Sequence, residues 1–424
     1  MSKHVLFFLL LPLLTTCPSA AATLQEAYQA ALQKNETVGL ENSKVTQAKE
    51  RVSQLRGGLL PQISAKATYF MQPEAKDPLA REIFPDKQTT VALSANQVLF
   101  RGLREFAGLR QQKDLLGSQE EARNQALLQL YQDVANSYLN ILALEQDAKN
   151  LEMQITLYDE RVAELSGRVR RGESNSTEVL TAQSTQASLK AEAQIVSGNL
   201  KMAREVFSFV TGLPATEVLT DPALTKDKNI QDLSYYLKRV EERYDVKSAR
   251  LLLQAAEEDV RIAKGAHWPS LDVAGNYYLK RPEGFSEDLK WDVQFTLTLP
   301  LFEGGTTQAR VRESASKRIE ADLTLARLRR QAEQEIRSYY ENYQSRLKQV
   351  EALAKATSLS QKNYQVLQRD YRRGLARNVD VQIALTDFRV ASRALDQARF
   401  ASQSELVRLQ IAAAEMLAPS VKEN

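Results

Sequence analysis

Four stretches of the chain alternate between apolar and polar residues with the period of two that predicts β-strands. The predicted strands are residues 62–71, 88–99, 270–280 and 290–299. In the last of them Trp291, Val293 and Phe295 fall on one side, and Asp292 and Gln294 fall on the other. The strands come in two pairs, each joined by a polar loop. The pattern therefore predicts two β-hairpins, each with one apolar and one polar face.

Long helical patterns follow each predicted hairpin. They cover residues 103–166, 177–210, 306–370 and 380–416, and shorter helical patterns precede the hairpins at 22–54 and 233–264. In the first long helix Leu127, Val134 and Ile141 recur every seven residues, which indicates coiled-coil packing. Gly102 and Gly172 are 70 residues apart. A helix filling that interval is roughly 100 Å long at 1.5 Å per residue.

The same plan occurs twice in the chain. Gly102, at the end of the second strand, matches Gly304, and Gly172, at the helix turn, matches Gly374; both pairs are 202 positions apart. The predicted organisation is a signal peptide at 1–22, a first repeat at 23–212, a connector at 213–232, a second repeat at 233–416 and a C-terminal tail at 417–424.

Proline and glycine mark the predicted junctions between strands and helices. Pro61 and Pro269 precede the first strand of each pair. Pro300 ends the last strand because proline lacks the N–H that a β-ladder needs. Gly304 and Gly305 then allow the backbone to turn into the next helix.

The N-terminus has the features of a secretory signal. An apolar core at residues 5–14 is followed by small residues, and cleavage is expected after Ala20 or Ala22. The apolar core is too short for a spanning helix, which needs ~20 residues. Lipidation of Cys17, the one cysteine, stays open. A membrane role would have to use strands, since no later apolar run reaches spanning length.

The composition excludes several classes of function. The formal net charge is only +3, and no basic run with interleaved aromatic residues indicates nucleic-acid binding. Of the two histidines, His4 belongs to the signal and His267 lies at a predicted helix–strand junction. Gly304 and Gly305 are not followed by the Lys-Ser/Thr of a phosphate-binding loop. We therefore expect no enzyme activity, cofactor or metal.

The segment Leu299-Pro-Leu-Phe-Glu-Gly-Gly305 and the paired turns Arg171-Gly172 and Tyr371-Arg-Arg-Gly374 resemble those of the TolC-like outer-membrane efflux protein family. The resemblance covers almost the whole mature chain. It implies a mainly α-helical fold with a membrane β-barrel: a homotrimer whose four strands per chain complete a twelve-stranded barrel above a long α-helical barrel. Members of this family are passive outer-membrane channels with a long periplasmic extension. They export drugs, metals or proteins received from an inner-membrane pump through a periplasmic adaptor.

The resemblance also implies roles for the two helix turns. Tyr371 corresponds to a gate tyrosine, and Asp380 corresponds to an acidic ring in the pore, with Glu178 as its counterpart in the first repeat. A simpler explanation of both acids is that carboxylates favour helix N-termini. The turns themselves are expected to dock the adaptor through Arg171, Gly172, Arg373, Gly374 and Arg377.

Two other functions fit parts of the pattern. A periplasmic adaptor also contains a long helical hairpin, but it needs only one and no isolated strand pairs. A structural coiled-coil protein has no use for four amphipathic strands. The cargo and the type of pump do not follow from the sequence, because a shared conduit carries whatever its pump delivers.

Overall fold

The computed structural model describes residues 22–73, 76–77, 86–220, 230–282 and 287–415. The predicted signal peptide before Ala22, the possible lipidation site Cys17, residues 221–229 of the connector and the tail at 417–424 lie outside the described residues.

Helices dominate the described chain. They are α1 (Leu24–Lys34), α2 (Glu36–Gly57), α3 (Arg104–Arg170), α4 (Ser176–Thr211), α5 (Leu233–Leu237), α6 (Tyr244–Gly265), α7 (Thr306–Arg372) and α8 (Asn378–Ala412), with a 3-10 turn at Val240–Glu242. The strands are β1 (Gln62–Met71), β2 (Lys87–Arg101), β3 (Ser270–Lys280) and β4 (Trp291–Thr298). Helices α3 and α7 have 67 residues each. Among the described residues, none of the helices combines the length and apolar character needed to cross a membrane.

Two helical segments differ from the pattern-based expectation. The predicted helix at 233–264 is interrupted at Arg243, whose backbone is extended. The Arg243 guanidinium donates to the Ala412 carbonyl over 3.1 Å and to Glu335 over 2.9 Å. The last helix ends at Ala412 rather than 416, and Arg239 donates to the next two carbonyls, including that of Ala413 over 2.9 Å. These arginines supply partners to carbonyls that a helix end leaves unpaired.

The four strands form one antiparallel sheet in the order β1-β2-β3-β4. The central pairing, β2 with β3, joins the two hairpins, and the Ser94 hydroxyl donates to the Asn276 side chain across it over 2.7 Å. This pairing contains two bulges, between Val91 and Ala92 and between Val98 and Phe100. Strands β1 and β4 are consequently the two edges of the sheet within one chain.

The sheet has two chemically different faces. We call the first the apolar face; among its exposed side chains are Ile63, Tyr69, Leu93, Tyr277, Trp291, Val293, Phe295 and Leu297. On the opposite, polar face Asp292 accepts hydrogen bonds of 2.8 Å from both Asn276 and Tyr278. Arg101 and Asp272 form an ion pair of 2.9 Å on the same face. The alternation of the sequence is thus translated directly into two faces.

Contacts divide the chain into two compact units. The described residues of the first unit lie within Met1–Asn35, Gln129–Gln231 and Ser338–Ile411, and those of the second lie within Glu36–Leu128, Asp232–Arg337 and Ala412–Asn424. In the first unit, a core of Leu151, Tyr158, Leu189, Val196 and Leu385 joins α3, α4 and α8. The second unit contains the sheet and α6, where Arg110 of α3 pairs with the buried Glu258 over 2.9 Å.

Candidate functional site at the helix turns

The two long helices end in the same kind of turn. Gly172 and Gly374 adopt left-handed backbone angles, with φ of 74° and 77°. The amide after Gly172 donates to the Arg168 carbonyl over 2.9 Å, and the amide after Gly374 donates to the Asp370 carbonyl over the same distance. This six-to-one hydrogen bond is the Schellman motif. No atom lies within 4 Å of a Cβ added at either glycine, so the backbone angle rather than space requires glycine.

Tyr371, the predicted gate residue, is buried within the chain at the end of α7. Its side chain packs with Leu165 of α3, Ala182 of α4 and Val381 of α8. Two guanidiniums lie over its ring, that of Arg161 at 4.4 Å and that of Arg168 at 4.5 Å from the centroid. The Tyr371 hydroxyl is also a hydrogen-bond partner that raises the pKa of Arg168. Tyr371 therefore joins four helices through one buried ring.

Arg161, which the sequence did not single out, connects this ring to the start of α8. It pairs with Glu164 over 3.0 Å and also donates to the side chain of Asn378, the first residue of α8. A cavity of about 290 Å³ lies beside it, lined by Leu157, Glu160, Arg161, Glu164, Tyr364, Gln368 and Arg372. One sequence signal was available: Arg161, Leu165 and Arg168 follow the spacing that places residues on one helix face.

Asp380, the predicted ring acid, is the third residue of α8 and is paired within its own chain. Arg377 donates from its backbone amide to Oδ2 over 3.2 Å and from its side chain to Oδ2 and Oδ1, each over 3.1 Å. The Arg377 guanidinium holds the pKa of the Asp380 carboxyl below its usual range. The amide contact is half of a capping box. The structure thus gives Asp380 the role of a helix N-terminal acid, whatever it does in an assembly.

Glu178 has the matching position, third in α4, but a different partner. The Ser174 hydroxyl donates to its carboxylate over 2.5 Å. The helix is capped instead by Asn175, whose side chain accepts the Thr177 amide over 3.1 Å. The two predicted acids are therefore equivalent in helix position, and only Asp380 of the pair is bound to an arginine of its own turn.

The arginines of the turns are not equally available. Arg171 donates to Glu173 over 2.9 and 3.1 Å, which lowers the pKa of Glu173, and Arg377 is held by Asp380. Arg373 is exposed just after α7. Two of the three predicted docking cations thus have carboxylate partners in the same chain, and the predicted basic surface is weaker than a count of arginines suggests.

The strand–helix junctions contain one close backbone approach. At Gly102, φ is 67° and an added Cβ would lie 2.2 Å from the Gly265 carbonyl oxygen. Both the angle and the contact exclude a side chain there. Gly304 and Gly305 also have positive φ, 61° and 83°, before α7 begins. Pro61 directly precedes β1, Pro269 directly precedes β3, and Pro300 is the second residue after β4.

In the described part of the chain, no group of three or more His, Cys, Asp or Glu side chains is arranged to hold a metal ion.

A sequence model of outer membrane efflux proteins matches residues 27–212 and 238–415. The chain belongs to this family. It is an outer-membrane efflux protein, which confirms the resemblance seen in its sequence and excludes the periplasmic adaptor and the purely structural coiled coil. Outer membrane protein TolC of Salmonella enteritidis is 24% identical over 396 residues, covering 90% of this chain and 80% of that protein. Outer membrane efflux protein BepC of Brucella suis is 24% identical over 249 residues, covering 57% of this chain and 54% of that protein.

Two solved structures share the fold of this chain. CusC superposes with a TM-score of 0.82 at 17% identity, covering 92% of this chain and 91% of the other. The outer membrane protein VceC of Vibrio cholerae superposes with a TM-score of 0.79 at 19% identity, covering 92% of this chain and 95% of the other. The mainly helical fold with a four-stranded antiparallel sheet is therefore common to proteins of very different sequence.

Proposed function

We propose that three copies of this efflux protein form a passive conduit through the outer membrane. Each chain contributes its four strands to a twelve-stranded barrel, and its long helices form a periplasmic tube. An inner-membrane pump and a periplasmic adaptor supply the cargo and the energy. The residue blocks 23–212 and 233–416 act as two copies of one structural repeat in this assembly.

The observation that carries the proposal is the exposed apolar face of the sheet. Phe295 and Leu297 are 68% and 69% exposed, and Ile63 is 76% exposed, although each is apolar. An exposed apolar face of this extent marks a surface that contacts another protein, a ligand or a membrane. Lipid covers such a face on the outside of a barrel, while the polar face lines the interior.

The edges of the sheet support the proposed number of chains. Among the described residues, strands β1 and β4 each leave one row of backbone groups without a strand partner. Such groups cost several kcal/mol each in lipid, so the strands must close into a barrel. Eight strands make a barrel filled by side chains, whereas twelve leave a lumen. Three copies, with β4 of one pairing with β1 of the next, therefore suit a conduit.

The helix turns are proposed as the periplasmic end. Tyr371, Asp380 and Glu178 close the resting channel there, and the turn residues Arg171, Gly172, Arg373, Gly374 and Arg377 dock the adaptor. The contacts of Tyr371 with Arg161 and Arg168 of α3, and of Asp380 with Arg377, support a closed state in which arginines of the same chain hold the second turn.

Fractionation and cross-linking test this assembly. We expect the protein in the outer-membrane fraction, and we expect cysteines placed at Ser64 of β1 and Gln294 of β4 to cross-link chains into trimers. Purified protein in a planar bilayer should conduct ions. Recovery as a periplasmic monomer, or cross-linking to dimers alone, would overturn the proposal. Cysteines at Ser43 and Ser53 on α2 serve as a control for random contact.

A further inference from the structure

The apolar face of the sheet contains a shallow hollow of about 300 Å³. Ala95 and Gly275 face each other in register, and Gly275 faces Val293 on the next strand. Because Ala95 and Gly275 are smaller than the residues around them, the apolar face is lower at these two positions. Seven of the ten residues around the hollow belong to the apolar face: Ile63, Leu93, Ala95, Gly275, Tyr277, Trp291 and Val293.

The fold does not require the glycine that creates this hollow. Gly275 is not among the glycines with positive φ. A Cβ added there would meet the Val293 side chain at 3.8 Å, an ordinary van der Waals contact. A larger residue could therefore occupy the position without backbone strain. The consequence of glycine at 275 is the hollow itself.

The strands around the hollow limit what can occupy it. Ala95 and Gly275 lie on β2 and β3, which are the inner strands of the sheet and are paired on both sides. A peptide strand cannot add to them, because strand addition needs an unpaired edge. The residues of the apolar face that line the hollow have apolar or aromatic side chains or, at Gly275, none, and the other three, Ser94, Asn276 and Asp292, belong to the polar face. A flexible hydrocarbon chain satisfies both conditions.

A cation lies on the same face toward the hairpin loops. Lys280 is opposite Val91, and the bulge beside this pair places it on the Val91 side of the sheet. Val91 is two residues from Leu93, a wall of the hollow, or roughly 7 Å along the strand. Lys87, opposite Met71, lies further out on this face, with Asp86 4.0 Å from its ammonium group.

The neighbouring arginine faces the other way. Arg281 stacks on Tyr278 at 4.1 Å and pairs with Asp292 over 3.4 Å, both on the polar face. Tyr277 and Trp291, which line the hollow on the side of Lys280, are opposite each other in register. Toward the loops, the apolar hollow is thus followed by two aromatic residues and then by an exposed cation. The acyl chains of a membrane, its aromatic-rich interface and its lipid headgroups follow one another in the same order.

We propose that the hollow binds an acyl chain of an anionic, phosphate-bearing lipid and that Lys280, with Lys87 beyond it, binds the lipid phosphate. The proposal rests on the proposed function, since the hollow faces lipid only when the sheet is part of a membrane barrel. Each trimer then has three such sites, one per chain.

Fluorescence quenching tests the site in the purified, detergent-solubilised trimer. Trp291 lines the hollow, and Trp268 is the one other tryptophan in the sequence. The probes are phosphatidic acid with brominated acyl chains and diacylglycerol with the same chains but no phosphate. We expect phosphatidic acid to quench Trp291 at concentrations about tenfold lower than diacylglycerol, because only the former makes a charged hydrogen bond. Trp291→Phe gives the baseline from Trp268.

Matched variants separate the two halves of the site. Gly275→Leu fills the hollow and should weaken quenching by both probes, whereas Ala274→Leu places the same side chain on the polar face and should not. Lys280→Gln should remove most of the difference between phosphatidic acid and diacylglycerol, with Lys87 accounting for the rest, whereas Lys66→Gln, on the polar face, should leave the difference intact. Gly275→Val repeats the test if the leucine variant does not assemble.

Three results would count against specific claims. Equal quenching in Gly275→Leu and Ala274→Leu trimers would overturn the hollow as the acyl site. Equal phosphatidic acid binding by Lys280→Gln and Lys66→Gln would overturn phosphate recognition. A wild-type protein that forms no membrane-inserted trimer by size-exclusion chromatography and fractionation would overturn the proposed function instead.

Discussion

Arg377 holds Asp380 through its backbone and its side chain together, so one carboxylate both caps α8 and neutralises the arginine that precedes it. The pKa of Asp380 is lowered, so its contribution to stability is complete above the ordinary value of roughly 4 and is lost as the pH falls through the lowered value. The pairing should therefore be intact from neutral pH down to mild acid.

Replacement of Asp380 by Asn tests this capping role. We expect faster hydrogen exchange in residues 377–381 at neutral pH, because the charged acceptor for Arg377 is gone. The wild-type protein should show no such change between pH 7 and pH 5, after correction for intrinsic exchange rates. Glu178→Gln, at the same helix position with Ser174 as its partner, is the matched control and should have the smaller effect. Equal protection in Asp380→Asn and wild type would contradict the prediction.

Tyr371 offers a test of stability at the turn. Tyr371→Leu should cost about 2–4 kcal/mol, because it removes a buried aromatic ring and its contacts with two guanidiniums. Tyr371→Phe keeps the ring between Arg161 and Arg168 and loses only the hydroxyl, so its cost should be clearly smaller. Thermal dissociation of the purified trimer, followed by gel electrophoresis, compares the variants. An equal loss of stability in Tyr371→Leu and Tyr371→Phe would show that the hydroxyl, not the ring, stabilises the turn.

The gate hypothesis predicts a change in conductance. Tyr371→Phe combined with Asp380→Ala removes the hydroxyl bond to Arg168 and the cap of α8, loosening both sides of the second turn. Single-channel conductance in a planar bilayer should rise above that of the wild type and of either single variant. Conductance that stays at the wild-type level would place the constriction elsewhere in the conduit.

If the apolar face of the sheet contacts lipid, an arginine introduced on that face should reduce trimer yield more than one introduced on the polar face. Val293→Arg puts a charge on the apolar face near the middle of β4 and should cost roughly 2–4 kcal/mol, depleting the trimer. Gln294→Arg places the same side chain on the polar face and should assemble normally. We prefer Gln294 to its neighbour Asp292 as the control, because Asp292 has hydrogen-bond partners to lose. A lower trimer yield for Gln294→Arg than for Val293→Arg would mean that the polar face, not the apolar face, contacts lipid.

Arg373 provides the cleanest test of adaptor docking, because Arg171 and Arg377 each have a carboxylate partner. Arg373→Glu should slow binding of the adaptor, most strongly at low salt, since exposed charges mainly affect association rates. Lys348→Glu, an equal charge change on the exposed side of α7 and roughly 35 Å away along the helix, is the control. Surface plasmon resonance at two ionic strengths measures both. Unchanged association of Arg373→Glu at low salt would remove this residue from the docking surface.

The local pattern of the chain predicted much of this structure, and long-range partners account for what it missed. The alternation in residues 62–71 and the glycines at 172 and 374 specify a strand and two turns through local backbone physics. No local pattern in the sequence predicts that β2 pairs with β3. Likewise, the surroundings of Tyr371 depend on Arg161 of α3, which is distant in sequence.

The position of β3 beside β2 has a consequence for how the protein matures. Ser94 and Asn276, which face each other in this pairing, are 182 residues apart. A chain entering the periplasm from its N-terminus therefore exposes the β1–β2 hairpin long before its partner arrives, and an isolated two-stranded hairpin is at best marginally stable in water. The apolar face of this hairpin therefore stays exposed until the second half of the chain has been exported. We expect this interval to make the nascent protein dependent on periplasmic chaperones, and a secreted fragment ending at residue 212 to aggregate or be degraded rather than insert.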